Sequence, residues 1–214
     1  MLGVVAAVFG LLLAFVIVIA YQNFLSAQAN VSAEADALAA IVRDSTAFPN
    51  RGGTNVRAAV GAYVRAVVDD EWPQMRNGRE SPLAVTDLDG IASAFQTAKT
   101  STHEQTAFYD DAVTQLNDAL TARRDRLKAV SGGLPFDIVV LLLFSAFVIV
   151  GYAVLVGSPS FWFDALGLAA IAMVVAVSFV VLFDLSYPFS GNIAIAPTDF
   201  TTGTLAQYAP QPPH

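Results

Sequence analysis

The chain of 214 residues contains no cysteine. Disulfides, thiol nucleophiles, iron–sulfur clusters and thiolate zinc sites are therefore excluded. Histidine is nearly as scarce, with only His103 and the final residue, His214. His103-Glu104 begins like a zincin motif, but Ala107 stands where the second histidine is required, so no helix face offers a metal-binding pair. Gly52-Gly53 lacks the lysine and hydroxyl that complete a phosphate-binding loop, and no serine sits in a nucleophile elbow. With neither base nor nucleophile in place, the chain is not expected to be an enzyme, and no metal or cofactor is expected.

Charge is the second shortage. Only 14% of residues are charged, against about 25% in soluble domains. Hydrophobic residues make up 55% and the mean hydropathy is +0.57. The net charge of −7 leaves no basic face for nucleic acid, which is excluded as a partner. The charges are also confined. All 11 basic residues lie between Arg43 and Lys128, and residues 22–136 also hold fourteen of the 18 acids. The rest of the chain carries only Asp137, Asp164, Asp184 and Asp199. An apolar part in two pieces thus flanks an ordinary polar domain.

Three apolar runs are long enough for a helix to cross a bilayer, which takes about 20 residues. They are Leu2–Ala20, Ile138–Val156 and Ala165–Phe183. Ala27-Gln28-Ala29 resembles a signal-peptide cleavage site, but no basic residue precedes the first run and the run is too long, so a retained helix is expected. The apolar run starts at the first residue, and an upstream extension is expected. Gly157-Ser158-Pro159-Ser160 allows a tight hairpin between the second and third spans. Arg123, Arg124, Arg126 and Lys128 precede the second span and no basic residue follows it. The positive-inside rule then places the polar domain in the cytoplasm. The expected organisation is a first transmembrane helix over 1–21, a helical cytoplasmic domain over 22–136, further spans over 137–156 and 161–183, and a tail over 184–214.

Helical periodicity runs through the polar domain. Phe24, Val31, Ala35, Leu38 and Val42 continue the first span as a stripe, ended by Pro49. Thr54 caps a second helix with Val56, Val60, Tyr63, Val64, Val67 and Val68 on one face, ended by Pro73. Ser81-Pro82 opens a third, with Leu83, Leu88, Ile91, Ala92 and Phe95 apolar and Gly90 weakening it. A capping box at Ser101 and Glu104 opens a fourth helix of nearly thirty residues, with Tyr109, Val113, Leu116, Leu120 and Leu127 on one face. The fold class is therefore all-α: three transmembrane helices plus a cytoplasmic four-helix bundle. The tail, with five prolines and almost no charge, cannot be a fourth span.

A few features stand out as candidate sites. Asp69-Asp70-Glu71-Trp72-Pro73 puts three acids where they oppose a helix dipole. The plain interpretation is a solvated turn with Trp72 turned inward; the functional one is a site for a cation or a neighbouring subunit's basic group. Arg123, Arg124, Arg126 and Lys128 are a topology signal, and in an oligomer they would form an anion funnel at a pore mouth. Ala6, Gly10 and Ala14, like Ala165, Ala169, Ala172 and Ala176, form small-residue stripes that suit close helix packing, within or between subunits.

Several segments carry a family resemblance. Leu11-Leu12-Leu13-Ala14-Phe15 runs into Tyr21-Gln22-Asn23-Phe24. Ala29-Asn30-Val31-x-x-Glu34-Ala35-x-Ala37-Leu38 follows, then Tyr63-Val64-Arg65-x-Val67-Val68-Asp69-Asp70-Glu71-Trp72-Pro73. Arg123-Arg124-x-Arg126 with Gly133-Leu134-Pro135, and Asp184-x-x-Tyr187-Pro188-Phe189-Ser190-Gly191, complete the set. Over nearly its whole length the chain resembles the bestrophin-like membrane proteins, a bacterial family of unknown function. The resemblance implies interest in Asp69, Asp70, Glu71, Trp72 and Pro73, and in Asp184 and Pro188, Phe189, Ser190 and Gly191. Bestrophins are oligomeric anion channels. The expectation is therefore a homo-oligomer in the bacterial inner membrane, with the lipid bilayer and inorganic ions as partners and anions as the expected cargo. Ala6, Gly10 and Ala14 would line a hydrophobic constriction, and Tyr21, Gln22 and Asn23 its polar exit. The rival expectation is a membrane-anchored sensory or accessory subunit without transport, using the acidic Trp-Pro turn or the tail for contacts.

Overall fold

The fold is known from a computed structural model, which describes residues 2–49, 51–98, 100–155 and 161–210. Among these residues every regular element is helical. Helix α1, Leu2–Asp44, is unbroken over 43 residues, about 65 Å at 1.5 Å per residue. Its first half is apolar on all sides and its second half is amphipathic, so one rod serves two environments. Helix α2 spans Gly52–Ala66, α4 Pro82–Thr97 and α5 His103–Ser131. Two further apolar helices follow, α6 at Phe136–Leu155 and α7 at Phe161–Ser186. Three helical stretches are long and apolar enough to cross a membrane. The expected hairpin turn at 157–160 lies outside the described residues.

Local chemistry moves several boundaries. Helix α2 starts at Gly52, two residues before Thr54, with no side chain capping it. Gly53 has to be glycine, because a Cβ there would lie 2.0 Å from the Ser45 carbonyl oxygen. Pro73 does not end this helical run. A π-turn, Val67–Glu71, leads instead into the single turn α3, Trp72–Met75. Proline lacks an N–H and crowds the carbonyl four residues earlier, here that of Asp69. The wider π-turn accommodates both demands. At α5 the capping box is shifted by one residue. Thr102 Oγ1 accepts from the Gln105 N–H at 3.1 Å, and Gln105 Oε1 accepts from the Ser101 N–H at 3.0 Å. Ser81 caps α4 as expected, accepting from the Ala84 N–H at 3.0 Å.

The lower half of α1 lies antiparallel along α5, and α2 lies against α4, around one core. The stripe Val31, Ala35, Leu38 and Val42 is buried, as are Val56, Val60, Tyr63, Val64, Leu88, Ile91 and Phe95. The face of α5 holds in part: Leu116 is buried and Tyr109, Val113 and Leu127 pack against the core. Leu120 is exposed, and the buried positions are Ala112, Leu116, Ala119, Ala122, Arg123 and Arg126. Alanines let α5 approach α1 closely, and the two arginines occupy the same seam. Leu83 also faces outward.

A second, smaller core joins the apolar helices: Phe9, Leu13 and Ala20 of α1, Leu142, Ala146 and Ile149 of α6, and Leu182 and Leu185 of α7. The tail folds back over the polar domain through α8, Thr198–Thr201, and a 3₁₀ turn, Gly203–Gln207. Phe189, Phe200 and Leu205 enter the main core. The tail is thus ordered through Tyr208, which packs on Gly61.

Candidate functional site

The four-three spacing that makes two helices face each other runs through both partners of the α1–α5 pair. On α1 it passes Ala27, Val31, Glu34, Leu38 and Ile41; on α5, Ala112, Leu116, Ala119, Arg123 and Arg126. The positions are apolar except Glu34, Arg123 and Arg126, and these are all buried. Burial of a charge costs several kcal/mol unless it is paired and hydrogen-bonded, so the three polar seam positions must meet partners.

They do so around Arg126. Its Nε donates to Glu34 Oε2 at 2.7 Å and its Nη2 to Glu34 Oε1 at 3.1 Å, a two-pronged pairing. The same Nη2 donates to Glu71 Oε2 at 2.7 Å, and the Met75 sulfur lies beside Nη1. Arg123 Nη2 donates to the other Glu71 oxygen at 2.5 Å and reaches Glu80 at 3.0 Å. Tyr63 Oη donates to Glu34 Oε1 at 2.5 Å. Trp72 and Phe200 cover the Arg126 guanidinium, with ring centroids 5.2 and 5.9 Å from it. Two acids and two bases balance inside the protein, and α1, α2, the π-turn, α5 and the tail all contribute.

Electrostatics follow from that balance. Burial alone would lower the Arg126 pKa, but the Glu34 carboxylate more than offsets it and holds the guanidinium charged. Arg123 behaves likewise: burial lowers it, and Tyr63 and Glu71 raise it further. Tyr63 is pushed well above the usual phenol range, by burial first and by Glu34 second, so it stays a neutral donor. The centre of the cluster, around Arg126, Glu34, Glu71 and Tyr63, is closed to solvent. Arg123 Nε has no partner among the described residues, and Glu80 reaches the surface. The cluster can bind helices together and fix their register; it presents no open coordination position or nucleophile.

The cluster corrects the anion-funnel expectation and, for the acidic turn, fits the plain interpretation with Trp72 turned inward. Arg123 and Arg126 are inside the protein and cannot line an anion funnel; only Arg124 and Lys128 lie on the surface, and Lys128 pairs with Asp125 at 2.7 Å. The acids of the 69–71 segment do not converge on one cation. Asp69 is exposed, Asp70 accepts from Ser81 and from Gln74 at 2.9 Å, and only Glu71 turns inward. The basic groups it meets belong to the same chain. Trp72 is buried and Pro73 exposed.

The motif near the start of the tail meets the same cluster. Phe189 stacks edge-on against Trp72 at 5.8 Å, and the Trp72 indole N–H donates to the Ile195 carbonyl at 3.1 Å. Pro188 is buried, its carbonyl accepting from the Ile195 N–H at 2.8 Å, and Ser190 donates its N–H to the Tyr187 carbonyl at 3.0 Å. Gly191 has φ +94°, and a Cβ there would sit 2.8 Å from an Asp184 oxygen. Asp184 in turn accepts from the Asn192 side chain at 3.3 Å. Both segments were visible in the sequence, but their contact across more than a hundred residues was not. Glu34 was missed as a site residue, although its place on an otherwise apolar seam was a readable signal.

These segments lie within a match to the Bestrophin-like domain that covers residues 1–200. The chain belongs to the Bestrophin-like family. No curated protein and no solved structure matches it. In this Bestrophin-like chain the small-residue face of α1 takes no part in packing among the described residues. Ala6, Gly10, Ala14, Tyr21, Gln22 and Asn23 are all exposed, while Phe9, Leu13 and Ala20 make the internal contacts. Ala169, Ala172 and Ala176 of α7 are exposed as well.

Proposed function

We propose that the chain forms a homo-oligomeric ion channel in a bacterial inner membrane. Its four-helix polar domain stands in the cytoplasm, and α1 lines the pore. The observation that carries this reading is the division of α1 into two faces. One face packs on α6 and α7. The other, from Ala6 through Gly10 and Ala14 to Tyr21 and Gln22, is bare in the single chain, while Asn23 turns to the cleft beside the end of α7. Three helices enclose no passage of their own, so the bare face needs copies around an axis. An apolar stretch opening on a polar ring suits a constriction that gates by dewetting. The tail folding onto the polar domain is consistent with both lying on one side of the bilayer. The basic residues of that domain favour the cytoplasmic side.

Anions are the expected cargo, by analogy with bestrophins; the rearranged arginines leave Arg124 and Lys128 as the surface contribution. No catalytic step belongs to this reading. The accessory-subunit alternative would have to use what the Trp-Pro turn and the tail leave outside, since Glu71, Trp72, Phe189 and Phe200 are used within the chain. The test is ion flux through liposomes holding the pure protein, with a chloride gradient setting the reversal potential. Flux that reverses near the chloride potential supports the reading. An assembled oligomer without flux refutes it.

A further inference from the structure

Where α1 leaves the apolar layer, a cavity of about 520 Å³ opens between it, the link from α5 to α6 and the end of α7. Its two ends differ in chemistry. Val16, Ile19 and Ile138 line it on the side of the apolar helices, and Asn23, Asn30, Asp125 and Lys128 line it on the side of the polar domain. The cavity therefore lies at the depth where a bilayer changes from hydrocarbon to headgroup. Its charged lining is one acid and one base, paired with each other at 2.7 Å with side chains 41% and 68% exposed. Such an exposed pair is weakly held and opens readily.

We infer that this cavity binds a phospholipid with an ethanolamine headgroup. The acyl chains lie along Val16, Ile19 and Ile138. The phosphate replaces Asp125 as the partner of Lys128 and takes hydrogen bonds from Asn23 and Asn30, while the primary ammonium donates to Asp125. The exposed pair is thus exchanged for two charge-assisted contacts. A glycerol headgroup leaves Asp125 facing a phosphate without a cation. A choline headgroup carries the charge but has no N–H to donate. The inference rests on the three apolar helices crossing a bilayer and not on conduction.

Native mass spectrometry of the full-length protein, released from detergent with defined lipids, tests it. A single ethanolamine phospholipid per chain is expected to be retained, with choline and glycerol lipids about tenfold weaker, the worth of one charge-assisted hydrogen bond. Asp125→Ala, which removes the acceptor, should bring choline and ethanolamine lipids level, and Lys128→Ala should weaken both. Ser26→Trp, which fills the cavity from an exposed position on α1, should abolish retention. Preference for the glycerol lipid overturns the headgroup assignment, and retention in Ser26→Trp overturns the site. Competition by soluble phosphoethanolamine at equal concentration would show a free headgroup rather than a lipid as the ligand, and would also overturn it. Loss of flux in wild type with lipid still retained would strike the channel reading alone.

Discussion

Replacing Arg126 by methionine removes the centre of the buried cluster while keeping most of its volume. The wild-type side chain has no exposed surface and makes three hydrogen bonds to two carboxylates. In its absence Glu34 is left with Tyr63, and Glu71 with Arg123. Breaking a buried pair from one side costs about 3–5 kcal/mol, because a charge remains without its partner. For a chain of this size 1 kcal/mol moves the melting temperature by about 2–4 °C, so a fall of roughly 6–20 °C is expected. Trp72 lies 5.2 Å from the guanidinium and reports directly. In a Trp162→Phe background its emission can be followed on heating in detergent. Arg124→Met, on the exposed side of the same helix, should change little, within about 0.5 kcal/mol. The double substitution Glu34→Gln with Arg126→Met should recover a large part of the loss, since it leaves fewer buried charges. Equal melting temperatures for the Arg126 and Arg124 variants would refute the reasoning, as would a double variant no better than the single.

Asp44 is buried, its Oδ2 finds no hydrogen-bond partner among the described residues, and its pKa is raised, by burial first and Asp111 second. An acid raised in the folded state stabilises it below the unfolded value of 3.8 and loses that contribution as pH climbs through the raised value. Asp44→Asn should therefore raise the melting temperature at pH 7 and lose the advantage near pH 4; a constant gap across that range would contradict it. Gly53→Ala should destabilise by about 1–3 kcal/mol through overpacking, as seen in thermal unfolding. Gly90→Ala, where a Cβ meets nothing within 4 Å, should stabilise by about 0.5–1 kcal/mol. Trp72→Phe keeps a ring but loses the hydrogen bond to Ile195. Limited proteolysis should then cut residues 192–198 several-fold faster, and an unchanged digestion pattern would show that the bond does not hold the tail.

Much of the fold was legible because membrane helices announce themselves by length and composition. Both long helices of the polar domain were readable from their periodicity and breakers. The π-turn was not, because Pro73 reads as a stop unless a wider turn relieves its clash with the Asp69 carbonyl. The buried face of α5 was legible in Leu116, with Tyr109, Val113 and Leu127 packed beside it, but its alanines were missed because leucines were weighed above them. The closest helix approach selects the small residues, leaving Leu120 outside. The arginines misled for a related reason: a basic cluster beside a span reads as surface charge, and only the seam register separates Arg123 and Arg126 from Arg124 and Lys128. The candidate site was seen in pieces. Glu71, Trp72 and Phe189 were each singled out, but their meeting depends on the tail folding back, which no local pattern records.

The absence of cysteine makes the central claim about α1 directly measurable. Single substitutions Ala14→Cys, on the bare face, and Leu13→Cys, in the internal packing, can be compared in reconstituted protein treated with a charged thiol reagent. The account predicts that ion current through Ala14→Cys is blocked, while wild type and Leu13→Cys are unaffected. Block at Leu13→Cys with Ala14→Cys unaffected would contradict it.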